Sequence, residues 1–146
     1  MLTSQPNEKG NMENKIWYER KQPLKLRVWD GCTFTNECSF IMGKEGIEII
    51  GTDGNPKEDA KIQLWTGCLD REGHEIFEGD YLMLTDEGHW IGAVVFNGGS
   101  FCCLDENGYF SSDFEWENEL VVGNVFTGLD KALIALERER CQQKNK

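Results

Sequence analysis

Hydrophobic and polar positions first alternate at "LKLRVWD", residues 24–30, where Lys25, Arg27 and Trp29 separate Leu24, Leu26 and Val28. A period of two places the three aliphatic residues on one face of a half-buried strand. "IEIIG" and "IQLWTG" follow as two further short strands, and the intervening "TDGNPKEDA" carries the Asp-Gly and Asn-Pro steps of a loop. From Asp80 the alternation becomes regular, and "DYLMLT", "HWIGAVVF", "SFCCLD", "GYFSSDFEW" and "ELVVGNVF" read as five strands broken by "DEG", "NGG", "DENG" and "EN". Breaks this short favour antiparallel connections over crossovers. In such a meander Val94, Phe96 and Val121 are expected to be buried, with Asp86 and Asn97 in turns. The chain then turns helical: Thr127 and Asp130 form a T-x-x-D start signal, and Leu129, Ala132, Leu133 and Leu136 share one face at helical spacing.

The elements add up to a mainly β protein, a β-rich α+β fold. Residues 1–22 read as a polar arm expected to be disordered, with Met12 as an alternative start. Residues 23–79 form a small N-terminal β lobe, 80–127 an SH3-like antiparallel barrel, and 128–146 a C-terminal helix with a frayed tail.

Charge sharpens this picture because it is segregated along the chain. The total is -11, yet between Glu72 and Asp130 there are 13 Asp and Glu and no Lys or Arg. Carboxylates without a neighbouring base are expected at the surface, since burying an unpaired one costs several kcal/mol. In "DFEWENE" a strand would project Asp113, Glu115 and Glu117 to one side and Phe114 and Trp116 to the other. Asp113, Glu115, Trp116 and Glu117 are therefore the candidate acidic interaction face. Six cysteines without a C-x-x-C pair, most of them inside hydrophobic stretches, read as buried thiols plus an exposed one. No apolar run approaches the ~20 residues that span a bilayer, so a cytoplasmic protein without a membrane partner is expected.

The densest candidate for chemistry is "TGCLDREGHEIFEGD", residues 66–80, with three glycines and five carboxylates. An EF-hand loop starting at Asp70 would need glycine at its sixth position, where Glu75 stands. His74-Glu75 opens like a zinc-protease helix, but Glu78 occupies the place of the second histidine. A corner fits better: Asp70 accepts backbone N–H groups at the start of a turn, Gly73 supplies a positive φ, Ile76 and Phe77 resume a strand, and Gly79 bends the chain again between Glu78 and Asp80. No metal, no cofactor and no catalytic residue is expected.

At this stretch the chain resembles a known family. "WTGCLDREGHEIFEGD" is similar to the T-G-L-x-D-x-x-G-x-E-I-Y-E-G-D block of the YopX family, small proteins of phages, prophages and mobile elements. "LKLRVWD" resembles that family's opening I-K-F-R-A-W-D, and "ELVVGNVFTGLDKAL" its closing Y-E-V-I-G-N-I-Y-E-N-P-E-L-L. The departures are Cys68 and Leu69 inside the middle block and Gly-Leu-Asp where Asn-Pro-Glu is usual. The resemblance implies a two-part β-rich fold with an SH3-like barrel and no enzymatic activity. It also implies that Trp29, Asp30, Thr66, Gly67, Asp70, Gly73, Ile76, Glu78, Gly79, Asp80, Gly123 and Asn124 are fold determinants.

Three non-enzymatic readings remain. The chain can be an interaction module of mobile-element origin, with a basic protein or a second copy as partner. It can be an acidic decoy that occupies the basic groove of a host DNA-binding protein. "EGDYLMLTDEGHWIGAVVF" also resembles KOW-type barrels that touch RNA, but a block without Lys or Arg is a poor match for phosphates, so nucleic acid is not the expected partner.

Overall fold

The computed structural model describes residues 25–85 and 90–144. The polar arm, Leu24, Asp86 and His89 lie outside them. The chain is mainly β, as the alternation predicts, with antiparallel strands and a C-terminal helix.

The first sheet has the order β2-β1-β5-β6, from Phe34–Thr35, Leu26–Trp29, Lys61–Leu69 and Glu75–Phe77. A separate two-stranded hairpin, β3 (Cys38–Gly43) with β4 (Gly46–Gly51), rises from it. The second sheet has the order β10-β9-β8-β7-β11-β12: β7 (Asp80–Met83), β8 (Ile91–Asn97), β9 (Ser100–Leu104) and β10 (Phe110–Ser111) run as a meander. β11 (Leu120–Asn124) then returns to pair with β7, and β12 (Gly128–Leu129) closes that edge. Helix α1 spans Lys131–Lys144.

β7 shows how the second sheet is stabilised. Leu82 and Met83 point to opposite faces, as neighbours on a strand must, and both are buried. Leu82 joins Ile76, Leu84, Val94 and Cys103 on one side; Met83 joins Leu120, Val122 and Ile134 of α1 on the other. Ile76 belongs to the first sheet but is buried in the core of the second, so β6 plugs one sheet with the other.

Several expectations need correction. Val94 is fully buried, but Val121 is half-buried and Phe96 is exposed. Phe96 has the inward parity of Val94 but sits at the hairpin end, opposite Phe101, beyond the reach of the core. Asn97 ends β8 and pairs with Ser100, so the turn is Gly98-Gly99. The helix starts three residues later than the T-x-x-D signal suggests. Asp130 is the cap, its Oδ1 accepting the Leu133 N–H at 3.0 Å, while Thr127 lies in a turn and 128–129 are strand.

Its docking face is also rotated. Ile134 and Glu137 are buried, whereas Leu129, Ala132 and Leu136 are exposed. Glu137 can turn inward because Arg71 and Arg140 hold its two oxygens at 2.6 and 2.9 Å. No hydrophobic pattern announces a charge used as an anchor.

Two glycines are required by close approach. Gly123, at the irregularity of β11, has φ +150° and would place a Cβ 2.2 Å from the Gly128 carbonyl oxygen. Gly79 has φ +88°, and a Cβ there would meet the Gln63 amide nitrogen at 2.1 Å. The left-handed backbone alone costs an alanine about 1–2 kcal/mol, and the displaced amide adds to it. Gly79→Ala is therefore expected to lower the unfolding free energy by more than about 1 kcal/mol. The urea midpoint reads it, and an unchanged midpoint would contradict this account of the bend.

Candidate functional site

The stretch 66–80 is a corner held by carboxylates. Asp70, buried, uses Oδ1 to accept the N–H groups of Glu72 and His74 at 2.9 and 2.8 Å. Its Oδ2 accepts the Val121 N–H of β11 at 2.9 Å, and His74 Nδ1 lies 3.3 Å away. Gly73, φ +85°, completes the turn. Thr66 Oγ1 donates to the Ile76 carbonyl at 2.8 Å and accepts the Cys68 N–H, beside Gly67, φ +87°, where β5 shifts register against β6. The Glu78 N–H donates to the Leu64 carbonyl.

Asp80 is the second anchor, and with Glu119 it departs from the expectation that carboxylates between 72 and 130 lie mostly at the surface. It is buried with Oδ2 on the Phe77 N–H at 2.8 Å and Oδ1 shared by Arg27 Nη2 and Asn124 Nδ2. The base is supplied by the first sheet, from 53 positions upstream. Arg27 also donates to Gln63 Oε1 at 3.0 Å, and its guanidinium lies 4.2 and 4.4 Å from the rings of Phe34 and Phe77. Glu119 is buried as well, with Oε1 accepting the Thr85 hydroxyl at 2.9 Å. Trp29 stacks on Phe126 at 5.1 Å, and Asp30 accepts the N–H groups of Cys32 and Thr33 at 2.8 Å each. Those bonds, that of Thr33 foremost, hold the Asp30 carboxyl below its ordinary range.

Most of the motif residues therefore hold the two sheets together or shape their turns. No three His, Cys, Asp or Glu among the described residues converge as a metal site.

The acidic stretch is not a strand. Trp116–Asn118 form a 3-10 turn, with the Asn118 and Glu119 N–H groups bonded to the Glu115 and Trp116 carbonyls at 3.0 and 3.1 Å. Local i to i+3 bonds take the donors that a ladder would need, and only Phe110–Ser111 of the predicted strand pairs with β9. The outward placement of the charges survives: Asp113, Glu115 and Glu117 are exposed. Phe114 and Trp116, ring centroids 4.7 Å apart, pack on the core around Leu82. Trp116 is thus part of the support and not of the face. Next to these acids Tyr109 and Phe110 are 73% and 53% exposed at the β10 edge, a feature the strand reading of 108–116 concealed.

A second surface was not legible in the sequence. The β3–β4 hairpin exposes Phe40, Ile41, Met42 and Ile47, and its base borders a groove of about 460 Å³ lined by Leu26, Val28, Phe34, Cys38, Phe40 and Phe77. "CSFIMG" has neither alternation nor a strong turn signal after it, so it predicted no element.

No protein-family model and no curated protein matches the chain. Solved structures are similar to it, two of them as follows. The YopX protein of Bacillus subtilis is 20% identical, with 69% of this chain and 91% of that chain covered at a TM-score of 0.45. Protein EF1440 of Enterococcus faecalis is 18% identical, with 71% and 94% covered at a TM-score of 0.45. The first bears the name of the family that the sequence blocks resemble.

Two outcomes test the corner. Asp70→Asn keeps one oxygen but turns an NH₂ toward the Val121 N–H or the turn amides, and it is expected to cost about 1–3 kcal/mol in urea unfolding. No loss would show that the carboxylate is not the clamp. Thiol reactivity should divide by burial: Cys32 is exposed, whereas burial, with Cys102 and Glu119 adding to it, pushes the Cys103 thiol up to about 12. A raised value means less thiolate at any working pH, so at pH 8 a disulfide reagent should label Cys32 rapidly and Cys103 only on unfolding.

Proposed function

We propose that the chain is a non-enzymatic interaction module whose acidic, aromatic edge receives a basic protein. The carrying observation is the edge itself. Within nine residues, Tyr109 and Phe110 stand exposed beside Asp113, Glu115 and Glu117, and none of the three carboxylates enters an ion pair with a described residue. Aromatic side chains supply apolar contact at an interface, while unpaired carboxylates steer a basic partner and reject an acidic one. A nucleic acid would be repelled by the same charges. The basic groove of a DNA-binding protein has the sign that this edge fits, and a decoy role is the specific form of the reading.

The test is a Lys/Arg-rich peptide probe titrated against two charge-matched triple variants. D113S/E115S/E117S removes the edge; E45S/E48S/E58S removes three exposed acids elsewhere. At about 0.5 kcal/mol for each surface charge, the edge variant is expected to bind about tenfold more weakly than the control, and the gap should close as salt screens it. Equal losses in both variants would reduce the edge to a general source of negative charge.

A further inference from the structure

We propose that two copies of this chain meet at the β3–β4 hairpin, β3 of one pairing antiparallel with β3 of the other across a twofold axis at Ile41. The two edges of the hairpin differ. β4 is flanked by the loop that follows it: the Lys57 N–H donates to the Ile49 carbonyl at 2.8 Å, and Ile50 bridges to Pro56. Among the described residues β3 pairs with β4 alone. Its six residues carry no charge, and soluble proteins cover or charge such an edge. A two-stranded hairpin is also marginal in water, and further strands stabilise it.

The strand's own sequence selects a second copy. Side-chain size is symmetric about Ile41: Phe40 and Met42 flank it, and the small Ser39 and Gly43 lie beyond them. Centred on Ile41, antiparallel pairing sets Phe40 opposite the partner's Met42, Ile41 opposite the partner's Ile41 and Ser39 opposite the partner's Gly43. Large side chains then touch on both faces, a thioether lies beside an aromatic ring, and the ends meet through small residues. Charge fixes the direction. Glu37 directly precedes β3 and Lys44 directly follows it, both exposed, while Glu45 is the turn residue on the β4 side. Antiparallel pairing brings the Lys44 end of each strand beside the Glu37 end of the other, whereas parallel pairing would align like with like.

Burial confines the contact to the outer part of the strand. Cys38 packs at the base with Val28, Ile49 and Ala60, whereas Phe40, Ile41 and Met42 are 42%, 52% and 80% exposed. At roughly 200 Å² for a fully exposed large side chain, these three offer about 350 Å² per copy. With the backbone edge added, the contact falls among weak and reversible associations, those below about 1,200 Å² in total.

Sedimentation equilibrium of the full chain between about 1 μM and about 1 mM should show monomer passing into dimer. Ile41→Lys sets two ammonium groups on the axis but gains Glu48 as a cross-strand neighbour within its own hairpin, and it should weaken the dimer on the order of tenfold or more. A second measurement does not depend on that variant folding. In a Cys32→Ser background, Ile41→Cys should form an intermolecular disulfide under mild oxidation, because opposed Cα atoms of paired strands lie about 4.5–5.5 Å apart. Ser39→Cys should not, since its two copies would stand roughly 13 Å apart. A monomer at every concentration would leave the edge to a different protein and overturn the proposal. A dimer that Ile41→Lys does not weaken, or trapping at 39 equal to that at 41, would overturn it as well. The acidic edge belongs to the other sheet, so each of these failures leaves it untouched.

Discussion

The structure depends on one buried charge being fully accommodated. Asp80 sits where β7 leaves the corner, out of water, and tolerates that position because Arg27, Asn124 and the Phe77 N–H together engage both oxygens. Each donor comes from a different place in the chain, so the carboxylate fixes β1, the corner and β11 relative to one another. Gln63 ties the same knot from β5, accepting from both Arg27 and Asn124. Removing a single partner of such an ion costs about 3–5 kcal/mol, because it strands a charge in a low-dielectric site. Lysine could not replace Arg27 here. It lacks the planar fork that serves Asp80 and Gln63 at once and the flat face that lies between Phe34 and Phe77. Gly79 follows from the same packing, since the Gln63 amide occupies the place of a side chain.

Local sequence made much of this visible, within limits that have physical causes. Strands with one covered face alternate and could be read directly, as at Leu26–Trp29 or Ile91–Asn97. Turn chemistry was equally readable around Asp70, Gly73 and Gly79, because a carboxylate before a glycine has few local uses. Asp70 gave no sign that its second oxygen would reach Val121, 51 positions away. The same blindness to long-range partners produced the errors. Counting bases within 72–130 missed Arg27, and an apolar stripe on α1 was preferred to the face that Arg71 selects through Glu137. "DFEWENE" alternates like a strand but lacks a neighbour to pair with, and a ladder is a property of two segments.

Charge segregation along the chain therefore has a different meaning in space. Lys25 meets Glu75, Arg27 meets Asp80 and Arg71 meets Glu137, so bases from the first 71 residues neutralise acids of the corner, of β7 and of the helix. What remains uncompensated is narrower than the sequence suggests. The acids at 113, 115 and 117 are what is left over, since no described residue of the first lobe forms an ion pair with them.

Both faces of the six-stranded sheet are already used, one by the core around Leu82 and the other by the core that α1 completes. On the reading proposed above, recognition falls to the edges. At one end β12 is two residues long and turns directly into the helix, leaving little ladder to extend. At the other, β10 is equally short, but its neighbours are aromatic and acidic, a combination that prevents indiscriminate strand addition and still offers contact area. The hairpin has the opposite character, with a six-residue edge strand that carries no charge. A protein built this way separates its two exposed surfaces by chemistry: one edge sets exposed acids beside aromatic rings, and the other is apolar and uncharged.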